Sequence, residues 1–170
     1  AAYLCSEVAL CLNAIGIYSI AQYYFEQVLA VLQAQGHTNT DELAATLTNI
    51  AGVLWDQGDY AQARTYLEQA LLLDEQIHGP DAPETANSLN ALASILQAQG
   101  DYAVARPMYE RALAIREQVL GPNHPNTATG LNNLGLLLRD MGALVEARPY
   151  LHRALLILEQ ALGPKSAGIG

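Results

Sequence analysis

The residues from Leu89 to Leu120, LNALASILQAQGDYAVARPMYERALAIREQVL, recur along the chain at a fixed displacement. Gly100, Asp101 and Tyr102 answer to Gly58, Asp59 and Tyr60 upstream and to Gly142, Ala143 and Leu144 downstream. Nearer the start they answer to Gly16, Ile17 and Tyr18, so every step is 42 residues. A constant period of this length constrains the fold more than composition can. Each unit is one supersecondary module that buries its apolar face only by stacking on the next. Within the second copy, small Ala51, Ala63 and Ala70 and large Ile50, Leu54 and Leu67 follow helical spacing on either side of the Gly58-Asp59 turn. Small side chains fit where two helices cross closely and large ones fill the gaps between them. The expected fold class is therefore all-α, a solenoid of tandem antiparallel helix pairs. It forms a single array over 1–170, with a divergent copy at about 1–40, copies at 41–82, 83–124 and 125–163, and a tail at 164–170.

The residues inside the unit carry a resemblance. Leu131, Leu134, Gly135, Leu138, Ala147, Leu151 and Ala154 stand where the tetratricopeptide pattern asks for large, Leu, Gly, large, Ala, aromatic or large, and Ala. The unit at Leu89 repeats this with Leu92, Ala93, Leu96, Ala105, Tyr109 and Ala112. An ordinary tetratricopeptide unit has about 34 residues; the surplus here lies in the second helix's end and in the connectors HGPDAPET and LGPNHPNT. With LNNLGLLLRDMG and YERALAIREQVLGPNHPNTA, the chain resembles the long repeats of kinesin light chains over roughly its whole length. It resembles still more the arrays that follow nucleotide-binding modules in bacterial signalling ATPases of the NB-ARC type. The resemblance implies a right-handed superhelix and a non-catalytic module for protein or peptide partners, serving as the ligand-sensing or scaffold part of a larger bacterial signalling protein. A second reading is an architectural arm that docks on its own nucleotide-binding domain or self-associates.

Composition excludes other classes. The net charge of −9 argues against nucleic acid, which requires clustered Lys and Arg. The acidity is concentrated in residues 1–85, which hold eleven acids and only Arg64 as a base. No apolar run reaches the roughly 18 residues of a membrane span, and no basic leader is present. Cys5 and Cys11 fit neither a zinc spacing nor a disulfide framework and point to a reducing, cytoplasmic setting. His37, His78, His124 and His152 have no recurring Cys, Asp or Ser partner and no phosphate-cradling glycine loop is present, so neither catalysis nor a cofactor or metal is expected. Ala1 falls inside a helical pattern, and the chain reads as a fragment of something longer.

Two surfaces remain as candidates. In stacked helix pairs the first helices line the concave wall, and their outward residues are Thr48, Asn49 and Trp55 in the second copy, Asn87, Asn90, Ser94 and Gln97 in the third, and Asn132, Asn133 and Arg139 in the fourth. Amides and hydroxyls both donate to and accept from an extended backbone, which suits a peptide groove. The scarcity of bases there favours a neutral or basic segment. In kinesin light chains the Asn residues of LNNLA face the cargo, so the resemblance implies that role for Asn49, Asn132 and Asn133; Ala91 departs from it. Trp55 either anchors a ligand or packs over Leu54 and Gly52. The second surface is the divergent copy, where Tyr18, Tyr23 and Tyr24 cluster and Glu7 and Glu26 are the only charges before Asp41. These aromatics either form an interface or fill the seam with the second copy. Locally, Thr40 or Asp41 is expected to cap the third helix, Asp81 with Glu84 to form a capping box, and Pro107 and Pro149 to bend their helices or delay their start.

Overall fold

The computed structural model describes residues 2–162, and the expected tail at 164–170 lies outside them. Eight helices follow one another: α1 (Ala2–Ala14), α2 (Tyr18–Ala34), α3 (Asp41–Asp56), α4 (Tyr60–Ile77), α5 (Pro83–Gln99), α6 (Tyr102–Leu120), α7 (Pro125–Asp140) and α8 (Leu144–Leu162). Among the described residues there is no strand. Each helix packs chiefly on the one before and the one after, within copies as α1 on α2 and between copies as α2 on α3. The array is therefore an all-α repeat solenoid.

The turn inside each pair is the same object four times. Gly16, Gly58, Gly100 and Gly142 have φ of 81°, 81°, 84° and 79°, the left-handed region that a Cβ disfavours. The next residue then donates its N–H to the carbonyl five back: Ile17 to Leu12, Asp59 to Leu54, Asp101 to Leu96 and Ala143 to Leu138, each at 2.8 Å. The second helix leaves in a fixed direction, and small residues let it cross close. Ala9, Ala51 and Ala93 face Ala21, Ala63 and Ala105, all at most 1% exposed. At the first of these registers the fourth copy has Gly135, where an added Cβ would fall 2.6 Å from Leu151 Cδ2. The Leu151 side chain therefore occupies the place an alanine methyl would take, and an alanine there would have to displace it.

Helix starts partly depart from expectation. Thr40 caps α3, its hydroxyl accepting from Leu43 N at 3.2 Å. The capping box at Asp81 and Glu84 does not form. Pro83 begins α5 behind Ala82, whose side chain has no group to cap with. A proline at the first helical position needs no partner for an N–H it lacks. The connector is tied differently, by Thr85 Oγ1 donating to the Gly79 carbonyl at 2.7 Å, and one repeat later by Thr127 Oγ1 donating to Gly121 at 2.8 Å. Nor do the prolines delay their helices: α6 and α8 start at the register of α4 and run through Pro107 and Pro149. Buried Ala105 and Tyr109 flank Pro107 and hold its helix against α5, so the loss of one hydrogen bond does not end it.

Charged side chains clamp the seams on the outer face. Arg111 donates through Nη1 to Glu75 Oε1 at 2.7 Å and through Nη2 to the Pro80 carbonyl at 2.7 Å. Arg153 repeats the fork one copy on, to Glu117 and to the Pro122 carbonyl.

Candidate peptide-binding groove

All ten residues expected on the wall lie on α3, α5 or α7. Many of their polar groups are engaged with one another. Asn133 Nδ2 donates across the seam to Asn90 Oδ1 at 2.8 Å. Gln97 Nε2 donates to Asp140 Oδ2 at 2.6 Å, and Gln97 Oε1 accepts from the Tyr109 hydroxyl at 3.1 Å. Ser94 Oγ donates to the Asn90 carbonyl and lies 2.8 Å from the same tyrosine oxygen. Thr48 bonds back to the Ala44 carbonyl. Arg139 is turned onto Asp140, with Nη2 2.8 Å from Oδ1, which leaves the wall without a free guanidinium. Asn132 is half-buried and lines none of the three clefts described below.

The Asn90–Asn133 and Gln97–Asp140 bonds are rungs between copies, and the distribution of such rungs is uneven. Asn13 Nδ2 donates to Asp56 Oδ2 at 3.1 Å across the first seam, at the register where Gln97 meets Asp140 across the third. In the middle seam the same registers hold Trp55 and Ala98, and the register of the Asn90–Asn133 rung holds Thr48 and Ala91. Neither of those pairs can form a rung. Where the first and fourth copies carry Leu10 and Leu136, the second has Gly52, with nothing within 4 Å of a Cβ built on it. The result is an apolar recess of about 370 Å³ in the middle of the wall, between Thr48, Gly52, Trp55, Leu67, Ala91 and Ile95. Trp55 forms one side. The residue is 37% exposed and its ring stands edge-on to Tyr60, at 5.1 Å and 62°, so it is braced and still open to solvent.

A polar cleft of about 340 Å³ adjoins it, sharing Trp55 and Ser94 and ending at Asp140. Hydrogen bonds from Arg139 and then Gln97 hold the Asp140 carboxyl below the usual carboxylate range, and it is ionised at neutral pH. Burial pushes the Tyr109 phenol up, so it stays a neutral donor. A third cleft, of about 380 Å³, opens at the start of α3 and α5, between Asn49 and Asn87 and over Asp74 and Ser88. Sequence reasoning placed Tyr109 in the core and Asp140 on the wall beside Arg139 without singling it out, and it did not assign Asp74 to a site, because the other copies carry Leu32, Arg116 and Leu158 at that register.

The aromatic cluster of the first copy divides. Tyr18 and Tyr24 pack against the core, and Tyr24 stacks edge-on with Tyr23 at 5.7 Å; Tyr23 is 57% exposed. Leu4, Val8, Ile15 and Ile20 are exposed on the same copy.

The family model described as Tetratricopeptide repeat matches residues 42–118 and, in overlapping register, 87–159. The chain belongs to the tetratricopeptide repeat family. That fold is a scaffold for protein–protein interaction, and the family is generally non-catalytic. Solved tetratricopeptide structures superpose over nearly the whole array. BtubC (BKLC) from P. vanneervenii is 24% identical with a TM-score of 0.87; the match covers 95% of this chain and 65% of that one, so this chain spans less than two thirds of BtubC. A putative kinesin light chain from Podosopora anserina with nearly identical TPR-like repeats is 22% identical, with a TM-score of 0.83 and coverages of 95% and 77%. The Rap protein complexed with Competence and Sporulation Factor is 21% identical, with a TM-score of 0.75 and coverages of 92% and 43%. None of the curated proteins matches the sequence. At these identities the neighbours establish the fold alone, with kinesin light chain-like repeats among them. No described helix is long and apolar enough to cross a membrane.

Proposed function

We propose that this array binds an extended protein segment along its concave wall and works by binding, without catalysis, as the ligand-sensing part of a larger cytoplasmic signalling protein of the NB-ARC type. The observation that supports the groove is the open middle seam. The flanking seams are tied across the wall by Asn13–Asp56, Gln97–Asp140 and Asn90–Asn133, while the middle one leaves a recess beside a braced, half-open Trp55. Such a recess takes an apolar side chain of the segment, and the polar groups around it take the backbone. Peptides selected from a random linear library on the intact chain test this. Affinity should fall at least about tenfold in Trp55→Ala and in Gly52→Leu. Selected peptides indifferent to both changes would refute it.

A second role is favoured by the exposed apolar residues Leu4, Val8, Ile15 and Tyr23 of the first copy, which suit docking on an adjoining domain or self-association. Sedimentation of the chain at rising concentration, beside Leu4→Glu with Tyr23→Glu, tests self-association; identical monomer profiles would exclude it.

A further inference from the structure

Asp74 and Arg116 occupy the same register in consecutive copies and are both buried, at 8% and 7% exposure. The guanidinium of Arg116 fills the space over Gly130. A Cβ there would lie 3.4 Å from Nη1 and 3.7 Å from Cδ, and Nη2 reaches on to donate to Asn87 Oδ1 at 3.2 Å. One repeat earlier the three registers read Asp74, Ser88 and Ala45. The Asp74 carboxylate accepts from the Ser88 hydroxyl and goes no further. Where the third copy places its own cation, the second therefore has an acid at the base of a cleft of about 380 Å³, whose rim carries Asp41 and Glu84.

No ion pair among the described residues includes Asp74 or Glu84, and Asp41 meets only His78, at 2.8 Å. A buried carboxylate with one hydroxyl for company is costly, and a cation in the open space above it offsets that cost.

We propose that this cleft is a subsite for an arginine side chain of the bound segment, whose guanidinium takes the place over Ser88 that Arg116 takes over Gly130 and pairs with the Asp74 carboxylate. The proposal rests on the groove reading and adds to it the charge and position of one anchor. A planar guanidinium has donors left for Asn49 and Glu84 once Asp74 is engaged, and a bidentate carboxylate pair holds it in one orientation.

The probe is N-acetyl-arginine methylamide, titrated into the labelled full chain and followed by the backbone amide signals of Asn49, Asn87 and Ser88 and the side-chain amides of the two asparagines. Saturable shifts are expected there. The uncharged isostere N-acetyl-citrulline methylamide, and the arginine probe on Asp74→Asn, should each bind at least about tenfold more weakly. Asp74→Arg combined with Ser88→Gly and Ala45→Asn rebuilds the seam of the third copy, so it should fold and should exclude the probe. Equal binding of the two probes, or unchanged binding in either variant, overturns the proposal. The two readings fail separately. Library peptides that need Trp55 but tolerate Asp74→Asn remove the subsite and leave the groove. An arginine probe seated at Asp74, with peptides indifferent to Trp55, removes the groove reading instead.

Discussion

Replacing Arg111 with methionine tests the fork that clamps the second copy to the third. The substitution keeps the aliphatic stem and removes both bonds, to Glu75 Oε1 and to the Pro80 carbonyl, each at 2.7 Å. The two side chains of the ion pair are 38% and 32% exposed, so the pair belongs with surface bridges, at about 0.2–1 kcal/mol. The bond to the carbonyl is charge-assisted and pins the connector, and at this exposure it adds about 1 kcal/mol. Arg111→Met should then cost about 1–2 kcal/mol, which in a chain of this size lowers the melting midpoint by about 2–8 °C. Glu75→Gln should cost only about 0.5 kcal/mol, because Arg111 keeps the carbonyl. Urea and thermal unfolding followed by circular dichroism on the two single variants and the double variant separate the contributions. Equal losses from Arg111→Met and Glu75→Gln would show that the carbonyl bond contributes nothing, and no loss from either would discard the fork. The first seam has Gln69 and Gln33 at these registers, so Gln69→Arg with Gln33→Glu should gain about 0.2–1 kcal/mol, less at high salt.

Ala93→Leu, at a fully buried crossing, should cost about 1–3 kcal/mol by overpacking, whereas Gln99→Leu on the exposed end of α5 should stay within about 0.5 kcal/mol; coincident melting curves would contradict the crossing. Thr127→Val removes a buried hydroxyl that donates to the Gly121 carbonyl, which keeps only the 3.4 Å bond from His124 N, and should cost about 0.5–1.5 kcal/mol by denaturant unfolding. Gly52→Leu should leave the chain folded, since Leu10 and Leu136 hold that register elsewhere, and by filling the recess it should lower the affinity of library peptides measured by calorimetry. Cys11 is exposed and Cys5 half-buried, so a thiol reagent should modify Cys11 first and Cys5 only as the first copy opens; equal rates would contradict that placement.

The array was legible because its period and its small-residue registers are backbone requirements. Gly58 and Gly100 can be read from sequence since few other residues take a left-handed turn, and Ala51, Ala93 and Ala105 since two helices cross there. Thr40 was readable as a cap for the same kind of local reason. The capping box failed because Pro83 already satisfies the start of α5, and the sequence pattern does not say which of two adequate starts is used. The wall was legible as a set of positions but not as a set of bonds. Asn90 with Asn133, and Gln97 with Asp140, pair across a seam, and such pairings depend on the rise between copies. Asp74 shows the limit most clearly. On its own it reads as a helical acid on a solvated face, and only the placement of Arg116 over Gly130 reveals the space that the shorter side chain leaves.

Because each helix leans chiefly on its immediate neighbours in the chain, no packed interface among the described residues closes the array on itself. Small rotations at the seams add along its length, so its curvature responds as a spring does. The middle seam lacks the rungs that tie the other two across the inner side, while the Arg111 fork holds its outer face, so that seam is free on the inner side alone. A segment lodged there would do more than occupy a surface: by bridging the inner side of that seam it would bias the pitch of the coil and move its two ends relative to each other.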